Sequence, residues 1–230
     1  MSAPTDSQRP ELFATLYSMR ALRRFRPDPV PDRVLFQLFD AAIRAPSGQN
    51  AQDWRFVVVT EREAKARMQE WATQAWPGLA ARYTARPGGM EALSRSQQLS
   101  LRSVEHLAHH LAGVPVVVVV CGLRGRHSTP GGSTFPAVQN LLLAARALGL
   151  GASIFNLPMT GGADLARLLD IPESNQIHCL IPLGYPLDRF GPVRRKPVRD
   201  VVFLERFGRS WPFAEEQPDD GWEERWLEGS

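Results

Sequence analysis

Ala41-Ala42-Ile43-Arg44-Ala45-Pro46-Ser47-Gly48-Gln49-Asn50-Ala51-Gln52-Asp53-Trp54-Arg55-Phe56 changes character twice in a short span. It begins as the end of an apolar helix. Pro46 stops that helix, because its ring pushes residue 45 out of the α region. Ser47, Gly48, Gln49 and Asn50 form a polar turn rich in donors and acceptors, and Trp54 and Phe56 lead into the apolar strand Phe56–Val59. A loop held between a helix end and a strand start presents backbone N–H groups well to a ligand. The same residue types also serve ordinary turns, so the rest of the chain decides between the two.

The chain of 230 residues is long enough for one substantial core, or one core shared with a partner. Hydrophobic residues make up 43% and charged residues 22%, as in soluble globular proteins. No run approaches the roughly 18 apolar residues of a membrane span. Met1–Pro10 is polar, without the apolar core of a signal peptide. The expectation is a cytoplasmic protein with no membrane partner. Cys121 and Cys179 each lie at or within an apolar run and read as buried thiols. The net charge is only +3, and the pI of about 9.2 reflects arginine abundance, since Lys65 and Lys196 are the only lysines. The arginines are scattered and form no dense basic block, so no nucleic-acid partner is expected.

Residues 1–10 read as a flexible N-terminal arm. Leu12, Phe13, Leu16 and Tyr17 give Glu11–Met19 a helical spacing, and Arg20–Arg26 follows as a basic loop. Pro31-Asp32 opens a second helix, lined by Val34, Leu35, Leu38, Phe39, Ala42 and Ile43. Thr60-Glu61-Arg62-Glu63 reads as a capping box opening a helix to about Trp76. Pro77-Gly78 and Pro87-Gly88-Gly89 then break the chain, and a stripe from Met90 to Leu111 marks another helix. Residues 77–100 are expected to form a lid. Val114–Cys121 is a continuous β-branched run, expected to be buried on both faces. Ser133 or Thr134 caps a helix that Gly149 ends. Gly151–Phe155 reads as a strand, Asp164–Leu169 as a short helix, and Gln176–Leu183 as the last core strand. The tail from Gly208 is acidic but carries Trp211, Phe213, Trp222 and Trp226. Helices and strands do not alternate cleanly, so the fold class is α+β rather than doubly wound.

Several familiar sites are missing. There is no Walker A loop and no Gly-x-Ser-x-Gly elbow. Gly149-Leu150-Gly151 follows a helix and lacks the third glycine of a dinucleotide fingerprint. His106 and His110 are four apart on a helix, but no Glu follows the first histidine as in a zinc hydrolase, so they read as a solvated helix face. No metal is expected.

A second stretch, Met19-Arg20-Ala21-Leu22-Arg23-Arg24-Phe25-Arg26-Pro27-Asp28-Pro29-Val30, gives the loop its context. Together they resemble the FMN-dependent nitroreductase family. That family carries Arg-Arg-Ser-x-Arg-x-Phe-x-x-x-Pro-Val and, about twenty residues on, Ala-Pro-Ser-x-x-Asn-x-Gln-Pro-Trp-x-Phe. Ala147-Leu148-Gly149-Leu150-Gly151 and Ile181-Pro182-Leu183-Gly184-Tyr185-Pro186, followed by a basic Pro-bearing segment, extend the likeness over roughly residues 11–208. The resemblance implies a nitroreductase-like α+β fold with a central, mainly antiparallel sheet flanked by helices, in an intertwined homodimer. Residues 11–208 would be the FMN-binding domain, and 209–230 a tail wrapping the partner.

By the same resemblance, Arg20, Ala21 and Arg23 contact FMN, with Arg23 at the pyrimidine edge. A guanidinium there stabilises the charge of the reduced flavin. Met19 stands where the family has its first arginine, and Ala21 where it has serine. Arg195 and Arg194 match the C-terminal phosphate contact. Pro46, Ser47, Gly48 and Asn50 match a loop that lies against the flavin, partly from the partner subunit, and Asn156 and Leu157 fall where backbone N–H groups meet flavin N5 and O4. Asp53 replaces the usual proline before Trp54, and Trp54 reads as core. The implied function is hydride transfer from NADH or NADPH, through flavin N5, to an electron-poor aromatic such as a nitro compound or quinone, in ping-pong order. The flavin carries the chemistry, so no catalytic side chain is required. Reductive dehalogenation, flavin breakdown and non-enzymatic flavin storage are alternatives on the same fold.

Overall fold

The computed structural model describes residues 12–85, 87–125 and 131–216. Its centre is strand β2 (Val116–Leu123), flanked by β1 (Arg55–Val59) and β4 (Asn175–Gly184), with the short β3 (Gly151–Ala152) beyond β4. All neighbours are antiparallel in the order β1-β2-β4-β3. Val117, Val119 and Cys121 face one apolar cluster, and Val116, Val118 and Val120 the other. A strand covered on both faces reads as an unbroken apolar run, even in an antiparallel sheet.

Helices form the two outer layers. On one face lie α3 (Arg62–Thr84) and α4 (Arg95–His110), contributing Met68, Trp71, Trp76 and Leu107. On the other lie α2 (Asp32–Ala42) and α5 (Thr134–Ala147), contributing Leu38, Leu141 and Ala145. The short α1 (Leu12–Ser18), α6 (Gly162–Leu168) and α7 (Pro212–Glu215) complete the order. Cys121 and Cys179 lie in opposite clusters, so the sheet separates them and both are free thiols. Among the described residues, no helix is long and apolar enough to cross a membrane.

Four local expectations are corrected. The helix expected to stop at Trp76 continues through Pro77 to Thr84. Proline removes one helical hydrogen bond there, but Trp76 is buried, Leu79 and Ala80 pack on the core beyond it, and Trp76 Nε1 donates to Glu105 Oε1 at 3.1 Å. The lid expected over 77–100 is therefore helical at both ends. Thr60 caps nothing: α3 starts at Arg62 with Glu61 as its N-cap, so the Thr-x-x-Glu pattern is one residue out of register. The working capping box is Ser94/Gln97, where Ser94 Oγ accepts from Gln97 N at 3.3 Å and Gln97 Oε1 from Ser94 N at 3.0 Å. It starts α4 at Arg95, after Met90. The strand expected over 151–155 is only two residues long. Helix α5 buries Ala137, Val138, Leu141, Leu142 and Ala145 within its own chain, with Leu143 and Ala144 half-buried. Arg86, Trp222 and Trp226 lie outside the described residues.

Lys65 joins α3 to the start of β2. It is 5% exposed, and its ammonium donates to Val114 O at 2.6 Å and Pro115 O at 3.1 Å. Burial lowers its pKa. Lys65→Met keeps the aliphatic stem but orphans two carbonyls, so chemical denaturation at neutral pH should show a loss of about 1–3 kcal/mol. A second expectation concerns the thiols. Burial pushes Cys121 up to about 11 and Cys179 up to about 12. The unfolded chain releases those protons near ~8.5, so the folded state binds more protons above that pH. Their contribution is intact below the unfolded value and is lost as pH rises through the folded values. The native protein at pH ~8 should resist a thiol reagent that labels both cysteines after unfolding. The Cys121→Ala, Cys179→Ala variant should lose less stability than the parent between pH ~8.5 and ~11.

Candidate functional site

The arginine motif is carried across one end of the sheet. After α1, Leu22 is buried and Phe25 forms an isolated antiparallel bridge with Pro186. Arg26 N donates to Tyr185 O at 2.8 Å, and Leu187 N to Arg24 O at 3.0 Å. Gly151 and Gly184, opposite one another on β3 and β4, make the crossing possible. A Cβ on Gly151 would stand 3.1 Å from Leu22 Cβ and from Pro186 Cβ. With Leu22 turned inward, Arg20 and Ala21 are exposed and Arg23 is half-buried.

The C-terminal basic segment comes to the same end. Val193 N donates to Tyr17 O at 3.0 Å. Arg20 Nη1 lies 3.7 Å from the position a Cβ on Gly191 would take. Arg146, in the last turn of α5, donates from Nε to Ser18 Oγ at 2.9 Å and stacks 4.2 Å over Phe190. Arg194 and Arg195 are exposed, with Arg195 Nη1 on Arg194 O at 2.9 Å. None of Arg20, Arg146, Arg194 and Arg195 pairs with a carboxylate among the described residues.

Arg23 turns from this cluster toward α4. Its Nη1 donates to Ser103 Oγ at 3.0 Å, while its Nε is buried without a partner. Burial lowers its pKa. Arginine remains charged in any such environment. It is therefore a desolvated cation with an unsatisfied donor.

Asn156 and Leu157 sit midway along β4. Phe155 N donates to Leu180 O at 2.8 Å, and Asn156 Oδ1 accepts from Leu180 N at 3.2 Å. The Asn156 side chain thus takes the place of the missing strand partner, which is why β3 ends early. Leu157 opens a 3₁₀ turn, Leu157–Gly161. The backbone N–H groups of Asn156 and Leu157 have no backbone partner among the described residues.

Pro46, Ser47, Gly48 and Asn50 lie at the other end of the sheet. Ala45 and Trp54 anchor the loop in a small cluster with Ala137. Between them Gln49, Asn50 and Gln52 have φ of 54°, 54° and 50°. Left-handed conformations at non-glycine residues cost roughly 1–3 kcal/mol each and gather at functional sites. The loop is held by Gln52 N on Ser47 Oγ at 3.1 Å, Asn50 N on Ser47 O at 3.0 Å and Gly48 N on Ser133 Oγ at 3.3 Å. Gln52 and Ser133 were not anticipated as parts of this site. The family pattern contained Gln52; nothing local marked Ser133.

The register sets the spacing. Arg55, just after the loop, pairs with Cys121, which pairs with Ile177, whereas Phe25 pairs with Pro186. Along one extended strand that separation is about 30 Å, at about 3.3 Å per residue. Helix α5 gives a similar result, since Gly48 meets Ser133 before its first turn and Ser18 meets Arg146 in its last. That is about 20 Å at about 1.5 Å per residue. One chain therefore carries Arg20, Ala21, Arg23 and the segment leading to Arg194 and Arg195 to one end of the sheet, with Arg23 turned toward α4 and with Asn156 and Leu157 at intermediate distance. It holds Pro46, Ser47, Gly48 and Asn50 away from them.

A cleft of about 670 Å³ between α6, Ile171–Ile177 and Arg124 includes none of these residues. His106 and His110 stack at 4.2 Å as helical neighbours, and no group of three potential metal ligands occurs among the described residues.

A 190-residue stretch is 30% identical to an NADH dehydrogenase of Thermus thermophilus, covering 80% of this chain and 90% of that protein. Identity to an iodotyrosine deiodinase of Danio rerio is 27% over 208 residues, 85% of this chain and 68% of that one. The fold superposes with a TM-score of 0.63 on a nitroreductase with bound FMN from Desulfitobacterium hafniense, at 21% identity, over 84% of this chain and 97% of that chain. The Nitroreductase family profile matches residues 17–185, so the chain belongs to the Nitroreductase family.

Proposed function

We propose that the chain is an FMN-dependent oxidoreductase that takes electrons from a nicotinamide dinucleotide and delivers them to an electron-poor aromatic, a nitro compound or quinone. The observation that carries this reading is Arg23, a half-buried guanidinium with a buried, orphaned Nε and no carboxylate partner among the described residues. An anionic or acceptor-rich ligand edge meets that need. The bound flavin would supply the redox chemistry, accepting a hydride equivalent and returning electrons to the second substrate. Arg20, Arg194 and Arg195, with the backbone of Ala21, would hold the phosphate. Planar, permanently charged forks suit an oxyanion. Arg23 would face the pyrimidine edge, where negative charge gathers on reduction, and so favour the reduced state. The free N–H groups at Asn156 and Leu157 would donate to the opposite polar edge of the ring.

The same reading requires a homodimer. The loop of Pro46, Ser47, Gly48 and Asn50 lies about 20–30 Å from the arginine end along the elements of one chain, so its flavin contact would come from a second copy. Exposed apolar residues give that copy a surface: Leu12, Phe13 and Leu16 on α1, Phe36 at 74%, Phe207 at 94% and Phe213 at 59%. The tail beyond Gly208, with Trp211 and Phe213 exposed, would lie on the partner. Reductive dehalogenation at the same site is the second reading, favoured by the likeness to the deiodinase.

The purified protein should show a flavin spectrum, or gain one on adding FMN. A chain that remains colourless and takes up no FMN would refute the proposal. Arg23→Ala should weaken FMN binding about ten- to hundredfold and lower the flavin midpoint potential, consistent with the loss of one charge-assisted contact of about 1.5–3 kcal/mol. Mixed dimers test the shared site. Arg23→Ala and Asn50→Ala homodimers should both retain FMN poorly. After mixing and subunit exchange, half the sites in each heterodimer should bind normally. No recovery, or a stable monomer that keeps its FMN on sedimentation, would exclude a site built from two chains.

A further inference from the structure

Ser103 sits in the third turn of α4, eighty residues from Arg23 in sequence, yet their side chains meet at 3.0 Å. Its hydroxyl proton is already committed, because Ser103 Oγ donates to Ser100 O at 3.0 Å. The guanidinium has no acceptor, so Arg23 donates and Ser103 Oγ accepts, while the hydroxyl proton stays on Ser100 O. Arg23 is half-buried, its Nε has no partner, and no carboxylate pairs with it among the described residues. A neutral acceptor holds one corner of the guanidinium without cancelling its charge. An aspartate at the same place would form an ion pair and spend that charge inside the protein.

We propose that Ser103 is a positioning residue for Arg23: it fixes the guanidinium by a neutral hydrogen bond, so that the remaining donors and the full charge stay available to the reduced flavin. This rests on the FMN reading above and adds to it a residue on a helix outside the family's quoted motifs. It makes the flavin potential depend on the seating of α4. With Ser103 removed, Arg23 has more rotamers to lose on binding and its charge is less well placed where the flavin gains its own.

The test is FMN titration and potentiometry on the holo-protein, with apoprotein melting as a control. Ser103→Ala should lose affinity for reduced FMN about tenfold more than for oxidised FMN. For a two-electron couple that is a fall of about 30 mV in midpoint potential. Ser103→Thr, which keeps the hydroxyl, should restore the wild-type value. Ser103→Asp should lower the potential further than alanine does, although it adds a stronger partner for Arg23. In the Arg23→Ala background, Ser103→Ala should have no additional effect on the potential. An unchanged potential in Ser103→Ala, or equal losses of affinity for both redox states with a lower melting temperature, would overturn the proposal and leave Ser103 with a packing role. Failure of the wild type to bind FMN is read from the wild-type titration alone and removes the underlying function together with this inference. A wild type that binds FMN beside an unaltered Ser103→Ala removes only the inference.

Discussion

The burial of β2 on both faces is the constraint from which the rest of the architecture follows. Val117, Val118, Val119 and Val120 are fully buried, and each face of the strand must be covered by its own helical layer. Deleting one such valine's methyl groups leaves a void that surrounding elements close only in part. Neither face can then hold a polar ligand site. The polar segments singled out in the sequence lie instead at the ends and the outer edge of the sheet. At one end the segment of Arg20–Arg23 crosses above Gly151 and Gly184. At the other, the Pro46–Asn50 loop enters β1. Asn156 occupies the outer edge, where β3 stops pairing.

At the first end four arginines differ in their partners. Arg26 pairs with Asp28, as Arg44 does with Asp40 and Arg209 with Glu205 on the surface elsewhere. Such exposed pairs contribute little to stability. The other three use neutral partners: Arg146 a hydroxyl and a ring face, Arg195 a carbonyl, Arg23 a hydroxyl. Neutral partners orient a guanidinium and leave its charge uncompensated. This repels the folded chain against itself slightly, but it produces a fixed positive field before any anion arrives. Where Met19 replaces the motif's first arginine, Arg146 brings a cation to the neighbouring Ser18 from α5.

The sequence was most readable where one local signal agreed with burial. The run Val114–Cys121 announced a strand covered on both faces, and the stripe from Val34 to Ala42 announced α2. It was least readable where distant packing outweighed a local rule. Pro77 is a strong stop signal, yet Trp76, Leu79 and Ala80 hold α3 against the core on both sides of it. Thr60 and Ser94 both begin a capping-box pattern, and only the helix register tells which one works. The approach of Arg20 to Gly191 joins segments far apart in the chain, so spacing could not reveal it; only the family resemblance implied that they serve one ligand. Ser103 carried no signal, since a serine on an amphipathic helix reads as surface. The left-handed backbone at Gln49 and Gln52 was equally hidden, because glutamine has no preference for it.

That strained loop bears on assembly. Three left-handed non-glycine residues within four positions disfavour the folded state, and hydrogen bonds within the loop satisfy only part of its polar surface. Ala45 and Trp54 are buried on either side and pin its ends, so the strain cannot relax by moving the strand or the helix. A loop that merely joined α2 to β1 would gain nothing from this conformation, because glycine at any of the three positions would remove the cost. Forced outward by its anchors, the loop presents Gln49, Asn50 and Gln52 as exposed polar groups at the sheet end lacking the arginine cluster. The arginine end of the same chain has cations and N–H groups without backbone partners among the described residues, but no comparable polar loop. Each end supplies what the other lacks, and the length of the sheet keeps them apart within one chain. In the homodimer proposed above, a second copy would bring them together, and the strain would then have a use.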